Sequence, residues 1–225
     1  MRNKFSSSFF FAFFAALREN SFGMQNEFSE AIEKHQAAFD LGLSDETINR
    51  LFDYYELIQK HNALLHLVAP TSAEDFAVRH VLESLTLLEF LPQNAKFADV
   101  GTGAGLPSMP CLIAREDLLG VLIESKPKKA NFLIEAAEKL NVGKRVLVIN
   151  RQFEEAEKPA VSFIACRALD KFADKLPRLL KWSGKSELLF FGGNNLREAL
   201  QKHRVKFVEK LMPLSERRYL FVIKN

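Results

Sequence analysis

Residues 97–107, FADVGTGAGLP, constrain this chain more than any other stretch. A short apolar run (Phe97, Ala98, Val100) carries Asp99, and glycines then take alternate positions at Gly101, Gly103 and Gly105. Leu106 and Pro107 follow. After them comes an apolar segment with Met109, Cys111, Leu112 and Ile113, which the proline can start as a helix. The order is strand, glycine turn, helix. Glycines let the backbone turn sharply and approach a ligand with no Cβ in the way. The helix that follows points amide N–H groups at the same place.

Two ligand classes use that geometry. A dinucleotide site places its third glycine five residues after the first, and here that position is Leu106. The spacing G-x-G-x-G after an acidic residue instead resembles motif I of class I S-adenosylmethionine methyltransferases. Glycines also mark turns that bind nothing, so a second feature is needed. Glu124 lies nineteen residues beyond Gly105 and ends the run Gly120, Val121, Leu122, Ile123. A carboxylate at the tip of the second strand is where such folds bind ribose hydroxyls. The competing reading is a surface glutamate at a strand end.

At 225 residues the chain suffices for one domain with an N-terminal extension. An apolar share of 48% against 26% charged residues excludes a disordered chain. Cys111 and Cys166 are too few for a disulfide framework or a zinc site, and both sit in apolar runs, as buried thiols in a reducing compartment do. Charge is split along the chain. From Ala156 onward there are 15 Lys/Arg and 7 Asp/Glu, a net of +8; before it there are 16 and 21, a net of −5. A basic half suggests an anionic partner, with ordinary solvated lysines as the alternative.

Residues 1–23 differ from the rest. Arg2 and Lys4 precede three serines and an apolar, phenylalanine-rich run from Phe9 to Leu17. That resembles a secretory n-region and h-region, is too short to span a membrane, and lacks a small-residue cleavage site. An upstream translation artefact and an apolar helix packed on the domain are the other readings. Met24 opens ordinary composition and is taken as the natural start.

Residues 24–94 read as helical. Ser44 can cap a helix that sets Ile48, Leu51, Phe52, Tyr55 and Ile58 on one face. Thr71 with Glu74 makes a capping-box start for a helix turning Phe76, Val81, Leu82, Leu85 and Leu88 inward, with Pro92 closing it. This helix contains RHVLESL, residues 79–85. Residues 95–225 then alternate. Strands are expected at 96–100, 120–124, 145–149, 161–166 and 187–191, with β segments at 205–212 and 218–223 and helices between. Ligands of such sheets sit beyond the carboxyl ends of the strands. The glycine turn, Glu124, Gln152–Phe153 and Arg167 all fall there.

The order RHVLESL, DVGTGAGLP, IESKPKKANFL, CRAL and RRYLFVIK resembles the bacterial glucose-inhibited division protein B family, whose members are small-subunit ribosomal RNA guanine nitrogen-7 methyltransferases. The likeness runs from about Leu51 to Lys224. It implies a class I methyltransferase-type, doubly wound α/β fold. The sheet is mostly parallel and seven-stranded, with an antiparallel C-terminal strand and an N-terminal helical extension. It implies S-adenosylmethionine as cofactor, with Gly101, Gly103, Gly105 and Leu106 lining it, Glu124 on the ribose and Gln152 and Phe153 framing the adenine. Arg167 matches the arginine at the cofactor and RNA pocket. The chain departs from the family at Ser108, where a glycine is usual. Asn150-Arg151 stands where a small residue and arginine are common, Trp182-Ser183 where proline-glycine is, and Phe191 where a lysine would contact RNA phosphate.

The implied chemistry asks for no general base. Nitrogen 7 of guanine has a lone pair and no proton, so catalysis reduces to alignment, an effect of roughly 7–11 kcal/mol. Arg167 and Arg79 are the expected positioning groups, since a guanidinium binds a base edge or phosphate bidentately. His80 either hydrogen-bonds the base or braces Arg79, and Arg79 alternatively pairs with Glu83 one turn away. The expected partner is ribosomal RNA or the small-subunit particle, for a cytoplasmic monomer with no metal and no stable membrane association. A methyltransferase of small molecules or proteins, and a non-catalytic nucleotide-binding module, are the other function classes.

Overall fold

The computed structural model describes residues 6–167, 169 and 171–224, with the backbone alone for 6–20. The side chains of the apolar run from Phe9 to Leu17, and all of Arg2 and Lys4, lie outside the described residues. Helix α1 (Ser6–His35) runs unbroken through Met24 and buries Phe28, Ala31 and Ile32 in its second half. Ser44 caps α2 (Asp45–Leu65) by accepting the Thr47 N–H. The buried stripe of α2 runs from Ile48 through Tyr54 and Tyr55 to Ile58. Aromatic rings join these helices: Phe28 stacks on Tyr55 at 5.8 Å, and Tyr55 meets Phe76 at 4.9 Å. Each such pair adds about 0.5–1.5 kcal/mol beyond its buried area.

The third helical stretch differs from its sequence reading in two ways. Its cap is Ser72, which accepts the Asp75 N–H at 3.1 Å, and not Thr71, whose hydroxyl turns to the Ser72 carbonyl. Two adjacent hydroxyls compete for one cap, and the helix starts at Ala73, which puts Ser72 in the capping place. The stretch is also not one α-helix. Helix α3 (Ala73–Phe76) widens into a π-helical turn over Ala77–Leu82, succeeded by α4 (Glu83–Leu85) and a 3₁₀ turn (Thr86–Phe90). The Glu83 N–H reaches back five residues to the Val78 carbonyl. One extra residue in the turn rotates the side chains beyond it by about 100° relative to a continuous α-helix. Glu83 and Ser84 are thereby buried beside Val81, Leu82 and Leu85, while Leu88 stays half-buried.

The rest is a seven-stranded sheet. Its strands are β1 (Lys96–Val100), β2 (Leu119–Ile123), β3 (Val146–Ile149), β4 (Phe163–Arg167), β5 (Glu187–Gly192), β6 (Val208–Leu211) and β7 (Tyr219–Ile223). Their order is β3-β2-β1-β4-β5-β7-β6. β7 is antiparallel to both neighbours and the other pairings are parallel, as the resemblance implies. Helices α5 (Ser108–Ala114), α6 (Pro127–Lys139), α7 (Phe172–Ser183) and α8 (Asn194–Lys202) connect them.

Alternate residues of β1, β2, β4 and β5 feed two cores. Phe97, Leu122, Ala165 and Leu189 face the N-terminal helices, α5 and α6. Ala98, Val121, Ile164 and Leu188 face the side of α7 and α8. Coverage on both faces is why the strands read as continuous apolar runs. Arg167, two residues past Ala165, shares the face of the N-terminal helices, where it pairs in register with Phe191 of β5.

Among the described residues, no helix is long and apolar enough to cross a membrane. Nor does any group of His, Cys, Asp or Glu among them have the arrangement of a metal site.

Candidate functional site

β1 gives way at Val100 to the glycine turn. The Gly101 N–H donates to the Ile123 carbonyl at 2.8 Å, tying the turn to the end of β2. Gly101, Gly103 and Gly105 have φ of +69°, +58° and +98°, a region that L side chains enter only with strain. Their surroundings give the three different roles. A Cβ on Gly101 would lie 2.5 Å from Leu169 Cδ1. One on Gly103 would meet nothing nearer than the Gly101 oxygen at 3.9 Å, because this glycine faces the open cleft. One on Gly105 would meet Met109 Cγ at 2.4 Å and Leu133 Cδ2 at 3.2 Å. Gly105 therefore lets the turn settle on α5 and α6 and does not line the cleft.

The turn is held from beneath by Asp99 and from the side by Tyr54. The Asp99 carboxylate is fully buried. Its Oδ2 accepts the Thr102 hydroxyl at 2.7 Å and the Ser108 hydroxyl as well, and its Oδ1 has no partner among the described residues. Burial pushes the Asp99 carboxyl up to about 7, against the pull of the two hydroxyls. Ser108, a departure from the family pattern, thus supplies a donor that glycine lacks. The Tyr54 hydroxyl, buried on α2, donates to the Ala104 carbonyl at 2.9 Å. That bond couples the N-terminal layer to the turn.

Beyond the strand ends lies a cleft of about 420 Å³. Gly101, Gly103 and Leu106 line one side, and Glu124, Lys126 and Lys129 another. Glu124 stands just past β2, almost fully buried. Its Oε2 accepts the Gly103 N–H at 2.9 Å and its Oε1 the Lys126 N–H at 2.8 Å. Each carboxylate oxygen keeps a lone pair for a further donor. A third wall is the segment Leu67–Ala69. The Asn62 side chain pins it, accepting from the Leu67 and Val68 N–H groups and donating to the Val68 carbonyl.

Leu169 lies over Gly101 and borders both this cleft and a smaller pocket of about 30 Å³. Gln152 and Phe153 line that smaller pocket. Phe153 is buried edge-on against Trp182 at 5.7 Å, and Gln152 is exposed.

Arg167, the last residue of β4, borders the large cleft with His80. Its guanidinium is tied inward. Nη1 donates to Ser84 Oγ at 3.2 Å, and Nη2 to the Arg79 carbonyl at 2.6 Å and to Glu83 Oε2 at 3.3 Å. The Phe191 ring lies 5.6 Å away. Among the described residues, three of the guanidinium's five N–H donors are so engaged. Glu83 also accepts from Arg218 Nε at 2.6 Å. The alternative pairing of Arg79 with Glu83 does not form among the described residues; Glu83 pairs with Arg167 and Arg218 instead. The π-helical turn sends Glu83 inward, while Arg79 is exposed, does not border the cleft, and contributes its carbonyl. His80 packs on Phe76 at 5.1 Å with its Nδ1 buried and without a partner among the described residues. Burial and three arginines pull its imidazole down to about 3, so it is neutral at physiological pH.

Sequence reasoning missed Tyr54, Asn62, Glu83 and Leu169. The lysines after Glu124 were visible as KPKK, without a signal that Lys126 and Lys129 border the cleft.

The family model described as rRNA small subunit methyltransferase G matches residues 47–217. A protein named ribosomal RNA small subunit methyltransferase G from Neisseria meningitidis serogroup C is 31% identical over 167 residues, 74% of this chain and 77% of that one. One of the same name from Saccharophagus degradans is 35% identical over 127 residues, 56% of each chain. Two solved structures share the fold. An S-adenosylmethionine-dependent methyltransferase from Aquifex aeolicus has a TM-score of 0.54 at 16% identity, covering 76% of this chain and 97% of that one. The mitomycin 7-O-methyltransferase MmcR has a TM-score of 0.56 at 15% identity, covering 87% and 68%. The glycine turn, the carboxylate past β2 and the arginine ending β4 all lie within the matched span, and the chain belongs to the rRNA small subunit methyltransferase G family.

Proposed function

We propose that this chain transfers the methyl group of S-adenosylmethionine to nitrogen 7 of a guanine in small-subunit ribosomal RNA, as a cytoplasmic monomer. The observation that carries the reading is the cleft at the carboxyl edge of the sheet, bounded by the glycine turn, Glu124 and Arg167, inside the span that matches the family.

The residues fit the cofactor. Gly103 presents bare backbone where a Cβ would project into the cleft. Glu124 is buried with acceptor capacity left for ribose hydroxyls. Gln152 and Phe153 border the smaller pocket next along the edge, on the side assigned to the adenine. When bound, the sulfonium supplies an electrophilic methyl group.

The protein's part in the reaction is placement. Nitrogen 7 of guanine carries no proton, so no residue has to remove one. Arg167 borders the cleft and has two N–H donors without a partner among the described residues, which the base or its phosphate could take. The neutral His80 adds no positive charge beside an incoming nucleobase. Lys126 and Lys129 add positive charge at the cleft for an anionic partner.

Small-subunit particles and naked small-subunit RNA, both from a strain lacking its own member of this family, serve as substrates with labelled S-adenosylmethionine. The expected product is one labelled 7-methylguanine, mapped by aniline cleavage and primer extension. Label confined to protein or small molecules, or no transfer with cofactor bound, would overturn the reading.

A further inference from the structure

We propose that Glu83 is a positioning residue for methyl transfer, holding Arg167 at the cleft by clamping it against Arg218; this rests on the role given to Arg167 above. The Glu83 carboxylate is 2% exposed. Its two oxygens take one guanidinium each, Oε2 from Arg167 Nη2 at 3.3 Å and Oε1 from Arg218 Nε at 2.6 Å. The three residues come from separate parts of the fold. Glu83 comes directly after the π-helical turn, Arg167 is 84 positions later at the end of β4, and Arg218 is 135 positions later, next to β7.

Among the described residues, the other groups that bind Arg167 are neutral: a hydroxyl, a carbonyl and an aromatic ring. Glu83 is the anion that pairs with it among the described residues. A buried ion cluster is no better for stability than well-packed apolar side chains. Its distinctive effect is directional, because a buried carboxylate with two cations fixes where each guanidinium can lie. Without the negative charge, Arg167 and Arg218 face each other uncompensated, and Arg167 is left with ligands that tolerate displacement. A shift of about 1 Å in a positioning group costs on the order of 10²-fold in rate. Glu83 does not border the cleft, so cofactor affinity should not change with it.

The test measures Glu83→Gln and Glu83→Asp, each in the wild-type and the Arg167→Ala backgrounds. The readings are single-turnover methyl transfer to small-subunit particles, S-adenosylmethionine affinity by calorimetry, and melting temperature. Glu83→Gln keeps the shape and removes the charge. It should slow transfer on the order of 10–100-fold with cofactor affinity unchanged. Glu83→Asp keeps the charge on a shorter arm and should lie between. Neither change should slow Arg167→Ala further, since both act through the missing guanidinium. A folded Glu83→Gln variant at wild-type rate would overturn the inference. So would equal slowing in both backgrounds, which marks a merely structural role. If Glu83→Gln does not fold, the same two-background comparison on Glu83→Asp decides. Should Arg167→Ala itself keep the full rate, the role of Arg167 fails; a slow Arg167→Ala beside a fast Glu83→Gln sinks the Glu83 inference alone.

Discussion

Asp99→Asn tests the account of the buried carboxylate beneath the glycine turn. Burial raises the Asp99 carboxyl from 3.8 to about 7 in the folded chain. Between those values the unfolded chain is ionised there and the folded chain holds a proton. Stability therefore falls as pH rises through this window and levels off above it. At about 1.36 kcal/mol per pH unit the whole displacement is roughly 4 kcal/mol, of which roughly 2–3 kcal/mol lies between pH 5 and 8. Asparagine keeps the shape and does not titrate. His80 works in the opposite sense: its imidazole is held down at about 3, so its contribution is lost as pH falls below 6.5. The raw profile mixes the two, and the difference between wild type and variant isolates Asp99. Urea unfolding at pH 5, 6, 7 and 8 should show the variant gaining on the wild type up to about pH 7 and then running parallel. A difference that stays constant from pH 5 to 8 would refute the argument that Asp99 protonates in the folded chain.

The remaining expectations concern the turn and its neighbours. Gly103→Val should keep the fold, since space is open there, at a strain of about 1–2 kcal/mol. It should abolish S-adenosylmethionine binding by calorimetry, and an unchanged affinity would count against the cofactor site. Gly105→Ala drives a Cβ into Met109, so it should destabilise by about 1–3 kcal/mol beyond its backbone strain; a melting temperature no lower than that of Gly103→Ala would contradict the packing role. Tyr54→Phe strips the Ala104 carbonyl of a buried donor, and should cost about 1–3 kcal/mol in urea unfolding and weaken cofactor binding. Arg167→Ala should slow single-turnover transfer strongly and cofactor binding little. It leaves Glu83 paired with Arg218, so melting should change modestly, and Arg167→Lys should rescue poorly because a point charge lacks the planar fork.

Much of this molecule was written locally and could be read locally. Glycine has a signature wherever φ must be positive, and Gly101, Gly103 and Gly105 all take that conformation. Apolar runs broken by turns gave the parallel strands to within a residue or two, because parallel strands covered on both faces have little choice of composition. Glu124 was legible because the end of β2 is set by the length of one strand–helix–strand unit.

What tertiary structure alone decided involves partners distant in the chain or a turn with no composition of its own. The π-helical turn at Ala77–Leu82 looks like any amphipathic helix, yet it sends Glu83 inward and leaves Arg79 outside. The Glu83 pairing with Arg167 and Arg218 spans 84 and 135 positions. Tyr54 reads as one more apolar position on α2 until the fold brings Ala104 to its hydroxyl. Local sequence selects backbone conformation because those energies act between neighbours. A buried charge chooses its partner only once packing has excluded water and left it few candidates.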